Sequence, residues 1–196
     1  MCGRYYIEPD DRMERLHEIF AEARRRAANG RTEPKAGEIF PADIAPVIAA
    51  GKDLTPGVFP MRWGFPRPGG GLVINARSET AAARPMFRES ARLRRCLVPA
   101  THYFEWARTD GEKVKYAIKP DGSGLLYMGG LYILPPEAPP ALFVILTRPT
   151  AESIAFIHDR MPVIVPREKT EAWLSPRTSF DELMKETVED MVCQAV

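Results

Sequence analysis

The chain has 196 residues with 27 Lys plus Arg against 26 Asp plus Glu, a formal net charge of +1, so a polyanionic partner would have to meet a local patch. That length suits one domain spanning residues 1–196, with a real hydrophobic core. Cys2, Cys96 and Cys193 are far apart with no CxxC and no Cys/His cluster, which speaks against a disulfide framework or a zinc site and fits a reducing cytoplasm.

Charged Arg4, Glu8, Asp10 and Asp11 interrupt any leader, and no apolar run reaches membrane-spanning length, so no membrane partner is expected. The 19 prolines, in short groups, favour many short strands and loops over a helical bundle. Gly3 to Ile7 reads as a strand leading away from Cys2. A helix should follow, capped by Asp10 or Asp11, with Met13, Leu16, Phe20, Ala23 and Ala27 on its apolar face and Gly30 as its stop. Arg24, Arg25 and Arg26 suit the dipole at its C-terminal end.

Ile44 to Ala50 and Val58 to Phe65 read as strands around a turn at Gly51-Lys52-Asp53. Leu72 to Ala76 is a strand delivering Asn75 and Arg77 to one face, since residues two apart point the same way. Ser78 to Phe87 looks helical until Pro85, and Arg84, Arg88, Arg92, Arg94 and Arg95 make the densest basic stretch of the chain.

Arg95 to Pro99 and Thr101 to Ala107 look like strands, and the second sets Glu105 opposite the alternating His102, Phe104 and Trp106. Asp110-Gly111 and Asp121-Gly122 turns lead into strands at Val114 to Lys119 and Leu125 to Leu134. Ala141 to Thr147 reads as a central strand, Ala151 to Ile157 as a short helix, Met161 to Val165 as a strand and Arg167 to Leu174 as a helix. Ser179 and Glu182 form a capping-box pattern before a last helix through Lys185.

Four segments carry the chemistry: Met1-Cys2-Gly3-Arg4-Tyr5, Ile74-Asn75-Ala76-Arg77-Ser78-Glu79-Thr80, Tyr103-Phe104-Glu105-Trp106 and His158-Asp159-Arg160-Met161-Pro162. In this order and spacing, from Cys2 to about Trp173, they resemble the SOS response-associated peptidase family, proteins that process abasic sites in single-stranded DNA. The resemblance implies an α+β fold, a single domain on a bent, barrel-like, mainly antiparallel β-sheet flanked by helices. It implies DNA that carries abasic sites as the partner; a monomer is the default expectation, with no cofactor or metal, working in the cytoplasm at the nucleoid. One departure is Glu38-Ile39-Phe40-Pro41-Ala42-Asp43, which stands where many relatives carry Asn-Val-Ala-Pro, so a polar contact from that loop does not carry over.

The residues support such chemistry. Cys2 follows an initiator methionine of the kind that aminopeptidases remove, and as the N-terminal residue it would offer both a thiol and an amine whose reference pKa is about 7.7 to 8.0. An abasic sugar in its open form is an aldehyde, which the amine and thiol together convert to a thiazolidine, and each step moves a proton. Glu105 is the expected proton-exchanging group. Histidine titrates near neutrality, and His158 has Asp159 and Arg160 beside it; the resemblance associates it with opening the sugar and reversing the link. The resemblance gives Asn75 the task of positioning Cys2 and hydrogen-bonding the reacting group. Arg4, Arg77 and Arg160 are the expected phosphate contacts, and Trp63 and Trp106 the aromatics to stack on neighbouring bases. Two other classes share some of these features: an N-terminal-cysteine amidohydrolase of the glutamine amidotransferase kind, and a non-enzymatic single-strand binding module. The first would not explain the segment His158 to Pro162, and covalent capture of an aldehyde separates the second from an enzyme.

Overall fold

A computed structural model describes residues 2–9, 13–27, 32–109, 111–122, 124–135 and 140–196. In chain order the elements are β1 (Arg4–Ile7), α1 (Glu14–Arg26), β2 (Gly37–Ile39), β3 (Ile44–Ala50), β4 (Pro56–Trp63), β5 (Phe65–Pro66), β6 (Leu72–Val73) and β7 (Asn75–Arg77). Then come α2 (Ser78–Ala81), α3 (Arg88–Leu93), β8 (Arg95–Ala100), β9 (His102–Thr109), β10 (Glu112–Pro120), β11 (Leu126–Ile133) and β12 (Ala141–Pro149). The chain finishes with β13 (Arg160–Pro162), α4 (Thr170–Leu174), α5 (Phe180–Leu183) and β14 (Met191–Ala195).

Two sheets form the body. One is a closed ring, β11-β8-β3-β4-β12 and back to β11, antiparallel except where β12 runs parallel to β4. Closure removes the exposed sheet edges that would otherwise pair with other chains. The second is an antiparallel sheet in the order β14-β10-β9-β1-β2. The α+β class with a bent, barrel-like, mainly antiparallel sheet is thus the observed one.

The apolar pattern explains the ring. Val47, Val58, Met61, Leu97, Val98, Leu131, Phe143 and Ile145 alternate or run together along the strands and are buried in one continuous core. Gly129 and Gly130 sit mid-strand in β11, where a Cβ on Gly129 would meet the Trp173 ring at 2.4 Å and one on Gly130 the Val144 carbonyl oxygen at 2.8 Å. Only glycine permits that approach. Arg95, 3% exposed at the start of β8, donates to the carbonyls of Trp173 (2.7 Å), Ala91 (2.8 Å) and Thr178 (3.2 Å). It staples α3 and α4 to the ring and presents no charge to a partner.

The ring and the second sheet meet at Thr101. This residue separates β8 from β9, and both its N–H (2.8 Å) and its hydroxyl (3.1 Å) donate to the Tyr6 carbonyl on β1. β1 and β9 are thereby held against the ring. α1 lies along β4: Glu22 accepts from the Val58 N–H at 3.0 Å, and Arg26 rests over the Phe59 ring at 4.2 Å.

Several elements differ from the sequence expectation. The helix over Ser78 to Phe87 is only α2 followed by turns, and the expected helix over Ala151 to Ile157 is a single 3-10 turn at Glu152–Ile154. The strand expected at Leu72 to Ala76 breaks at Ile74 into β6 and β7. Ser179 occupies the N-cap of α5 without a side-chain cap, so the capping box is not made. β2 and β14 were not expected: β2 has three residues, and β14 buries only Met191 fully, so neither shows a clear apolar alternation. Asp10, Asp11, Gly30 and Asp110 lie outside the described residues. Among the described residues no helix is long and apolar enough to cross a membrane.

Candidate active site

Cys2 lies just before β1 and is fully buried. Asn75, at the start of β7, donates through Nδ2 to the Cys2 carbonyl at 2.9 Å, while the Cys2 thiol donates to the Arg4 carbonyl at 3.6 Å. The strands make this meeting possible. β7 runs parallel to β12 with Asn75 beside Ile145, and β1 pairs with β9 through Arg4 with Phe104 and Tyr5 with Tyr103. Continuing that antiparallel register one step sets Glu105 opposite Gly3, next to Cys2.

Glu105 is 5% exposed. Burial pushes the Cys2 thiol far above its ordinary range, and the nearby Glu105 carboxylate pushes it further in the same direction. A thiolate is therefore costly here unless a proton acceptor and a compensating donor act as it forms. Asn75 completes the group, with its Oδ1 buried and carrying no hydrogen-bond partner among the described residues. One end of its amide holds the Cys2 backbone and the other is open to accept.

His158 lies in the turn before β13, its side chain 30% exposed. Nδ1 stands 2.7 Å from an Asp159 carboxylate oxygen and 3.0 Å from the Arg160 backbone nitrogen, and the Thr150 N–H closes the turn onto the Asp159 carbonyl at 3.1 Å. β13 pairs with residues 147–149 of β12, and β7 flanks residues 145–147, so the two strands share Thr147. β12 therefore holds the Asn75 strand and the His158 turn around one end.

Two expected DNA contacts are instead interior. Trp63 has no exposed surface: its ring stacks on Phe143 at 6.1 Å and tilts against Tyr5 at 5.3 Å, and its Nε1 donates to the Ile74 carbonyl at 2.9 Å. Arg160 is 8% exposed and donates to both carboxylate oxygens of Glu79 and to the Thr147 carbonyl at 2.6 Å. A buried cation must be paired, and this one is spent inside the protein. The arginine hydrogen bonds in turn hold the Glu79 carboxyl at about 2.

The remaining three are at the surface. Arg77 is exposed at the end of β7. Arg4 lies over the Phe40 ring at 4.5 Å and over Trp106 at 5.1 Å, and Trp106 is partly exposed. Lys115 sits 3.6 Å above the Phe104 ring, and Lys113 lies 5.2 Å from the Trp106 ring. Lys115 pairs in register with Trp106 and Lys113 with Arg108, so all these side chains share the outer face of β1, β9 and β10. Glu38 is the anion within this strip, 3.0 Å from Lys115 and 3.4 Å from Arg4.

Sequence reasoning missed Phe40, Lys113 and Lys115. The alternation around Trp106 could have found the lysines once β10 was paired with β9. Phe40 depends on a turn in which Ala42 takes φ of 73°, held by the Ala42 N–H on the Trp63 carbonyl at 2.8 Å and by Asp43 accepting from the Phe40 N–H at 2.9 Å. A non-glycine residue there is uncommon, and only the surrounding contacts maintain it. Among the described residues no group of three or more His, Cys, Asp and Glu side chains could hold a metal ion.

Fold and site together define a protein with a buried cysteine ahead of its first strand, clamped by an asparagine and faced by a carboxylate. A family model described as SOS response associated peptidase (SRAP) matches residues 1–196, and the chain belongs to that family. It is 32% identical over 200 residues to the abasic site processing protein YoqW of Bacillus subtilis, across 94% of this chain and 85% of that one. Over 199 residues it is 31% identical to the abasic site processing protein YobE of the same organism, across 94% and 87%. A crystal structure of a Bacteroides thetaiotaomicron protein shares the fold with a TM-score of 0.76 at 23% identity, covering 100% of this chain and 92% of that one.

Proposed function

We propose that this protein captures abasic sites in single-stranded DNA as a covalent thiazolidine at Cys2, shielding the lesion from strand cleavage. The relatives' shared description as abasic site processing proteins supports DNA with abasic sites as the partner. The observation that carries the reading is Cys2 held at its carbonyl by Asn75 and faced by Glu105, on strands whose outer face bears Arg4, Trp106 and Lys115.

Removal of Met1 frees the Cys2 amine. The amine nitrogen bonds to the aldehyde carbon of the opened sugar, the carbonyl oxygen takes a proton, and loss of water leaves an imine. Cys2 Sγ then bonds to the same carbon while the thiol proton passes to the imine nitrogen. The ring that closes is saturated, so the imine that drives β-elimination is gone, and one water has been released overall. Glu105 exchanges protons in these steps. Asn75 keeps the amine in place through the carbonyl and accepts from the reacting group at Oδ1. His158 opens the sugar and protonates the ring nitrogen when the link reverses. The same thiol and carboxylate serve self-removal of Met1, which synthesis in an aminopeptidase-free extract would test: persistent Met1 there rejects the autocatalytic step.

Arg4, Arg77, Lys113 and Lys115 hold phosphates, and Trp106 and Phe40 receive a base, contacts that position a strand without reading its sequence. Cys2→Ala tests the function. It should abolish the heat-stable cross-link to an abasic oligonucleotide and leave non-covalent affinity within a few-fold. Equal cross-linking by the variant and wild type rejects the mechanism.

A further inference from the structure

Tyr103 and Tyr5 face each other across β9 and β1, both fully buried, and neither hydroxyl has a hydrogen-bond partner among the described residues. A buried hydroxyl left unpaired costs about 1–3 kcal/mol, so two side by side call for an explanation. Phenylalanine would fill the same space without that cost.

Their surroundings differ. Tyr103 lies two residues from Glu105 on the same inward face of β9. The ionisable groups acting on its hydroxyl are Cys2 ahead of β1, Glu105 on β9 and Cys193 on β14. Those acting on Tyr5 are Cys2, Asp43 and Cys96, with Glu105 not among them. Of the two tyrosines, Tyr103 is thus the one near both the thiol and the carboxylate. Burial, together with these neighbours, raises its phenol well above the ordinary range, so it stays an O–H donor throughout.

We infer that Tyr103 is a further catalytic residue, whose hydroxyl donates a hydrogen bond to the Cys2 sulfur as that sulfur gives up its proton and bonds to the imine carbon. The inference rests on the proposed thiazolidine chemistry. The thiol proton travels to the imine nitrogen by way of Glu105, and Tyr103 keeps its own proton. The donor supplies compensation for negative charge on a desolvated sulfur that already faces a carboxylate. The unpaired hydroxyl is then a group held ready, satisfied only as the reaction proceeds.

The test compares Tyr103→Phe with wild type on an abasic single-stranded oligonucleotide, following adduct formation from pH 6 to 9 together with the melting temperature and non-covalent affinity. The variant should melt at the same temperature or higher, bind DNA as wild type does, and form adduct about 10- to 100-fold more slowly, the loss expected for a hydrogen bond to a charged group. Its rate should reach half-maximum at a higher pH. Incorporating a fluorinated, more acidic tyrosine at position 103 should restore the rate and move that pH down, a response that a purely structural side chain would not give. Adduct formation by Tyr103→Phe that matches wild type at every pH overturns the inference while leaving the thiazolidine reading intact. Failure of wild type itself to form adduct overturns that reading, and the inference with it.

Discussion

On β9, Tyr103, Glu105 and Ala107 point inward and are buried, while His102, Phe104, Trp106 and Arg108 point to the opposite face, where Arg4, Lys113 and Lys115 join them. Neighbours in sequence therefore occupy opposite environments. Inside, burial makes charge costly and proton transfer sensitive to each nearby group. Outside, cations rest on the partly exposed Trp106 and Phe40 rings and cover Phe104, and each is worth little alone while several together suit a polyanion. Under the proposed function the difference assigns two tasks to one strand: reaction to the inner face, and retention of the DNA to the outer. Mutations on the two faces should fail in different ways.

The largest effect is expected inside. Glu105→Gln keeps the shape and removes the proton exchange, so adduct formation should slow by ~100- to 10,000-fold with DNA affinity little changed. Normal kinetics in a stopped time course would remove Glu105 from the mechanism. His158→Ala should slow formation less than Glu105→Gln does and slow release more. A chase of preformed adduct with a second abasic oligonucleotide reads this directly, and exchange as fast as wild type would count against the role.

On the outer face the loss should be in binding. Trp106→Ala should cost ~1–3 kcal/mol of affinity, the usual worth of one base stacked on an aromatic ring, without changing the rate at saturating DNA. Lys115→Ala should lower the dependence of affinity on salt, because one phosphate contact is lost. A fall in the saturating rate with unchanged affinity would reverse the assignment of the two faces.

The smallest effect concerns stability. The Glu79 carboxyl is lowered to about 2 by its hydrogen bonds with buried Arg160. Its folded pKa is depressed, so the ionised pair stabilises the fold above the unfolded value near 4.5, and that contribution is lost as pH falls from there through about 2. Glu79→Gln should cost ~1–2 kcal/mol near neutrality, below the ~3–5 of a fully buried pair because Glu79 is 44% exposed. Acid unfolding of the variant should lose the part of its pH dependence that lies in this window.

What could be read from the chain follows the same division. Alternation in Thr101 to Ala107 sets Glu105 apart from Trp106, and the prolines point to many short strands, while the bent, barrel-like sheet is legible only through the family resemblance. Burial was harder to read, because it depends on partners distant in sequence. Trp63 and Arg160 carry the residue types of a DNA contact, yet Phe143, Tyr5 and the Ile74 carbonyl enclose one, and Glu79 and Thr147 consume the other. Arg95 makes the same point within the basic stretch, since ring closure turns it into a core staple. Lys113 and Lys115 join the site only through the pairing of β10 with β9.

At the centre of the proposed function, Cys2 bonds to the abasic carbon through both nitrogen and sulfur. The direct measurement is the intact mass of the protein after reaction with an abasic single-stranded oligonucleotide, with and without borohydride. One species is expected, equal to the chain beginning at Cys2 plus the oligonucleotide less one water, formed without borohydride and unchanged by it. An adduct that retains Met1, that maps to another residue, or that is trapped only when borohydride reduces it would contradict the thiazolidine.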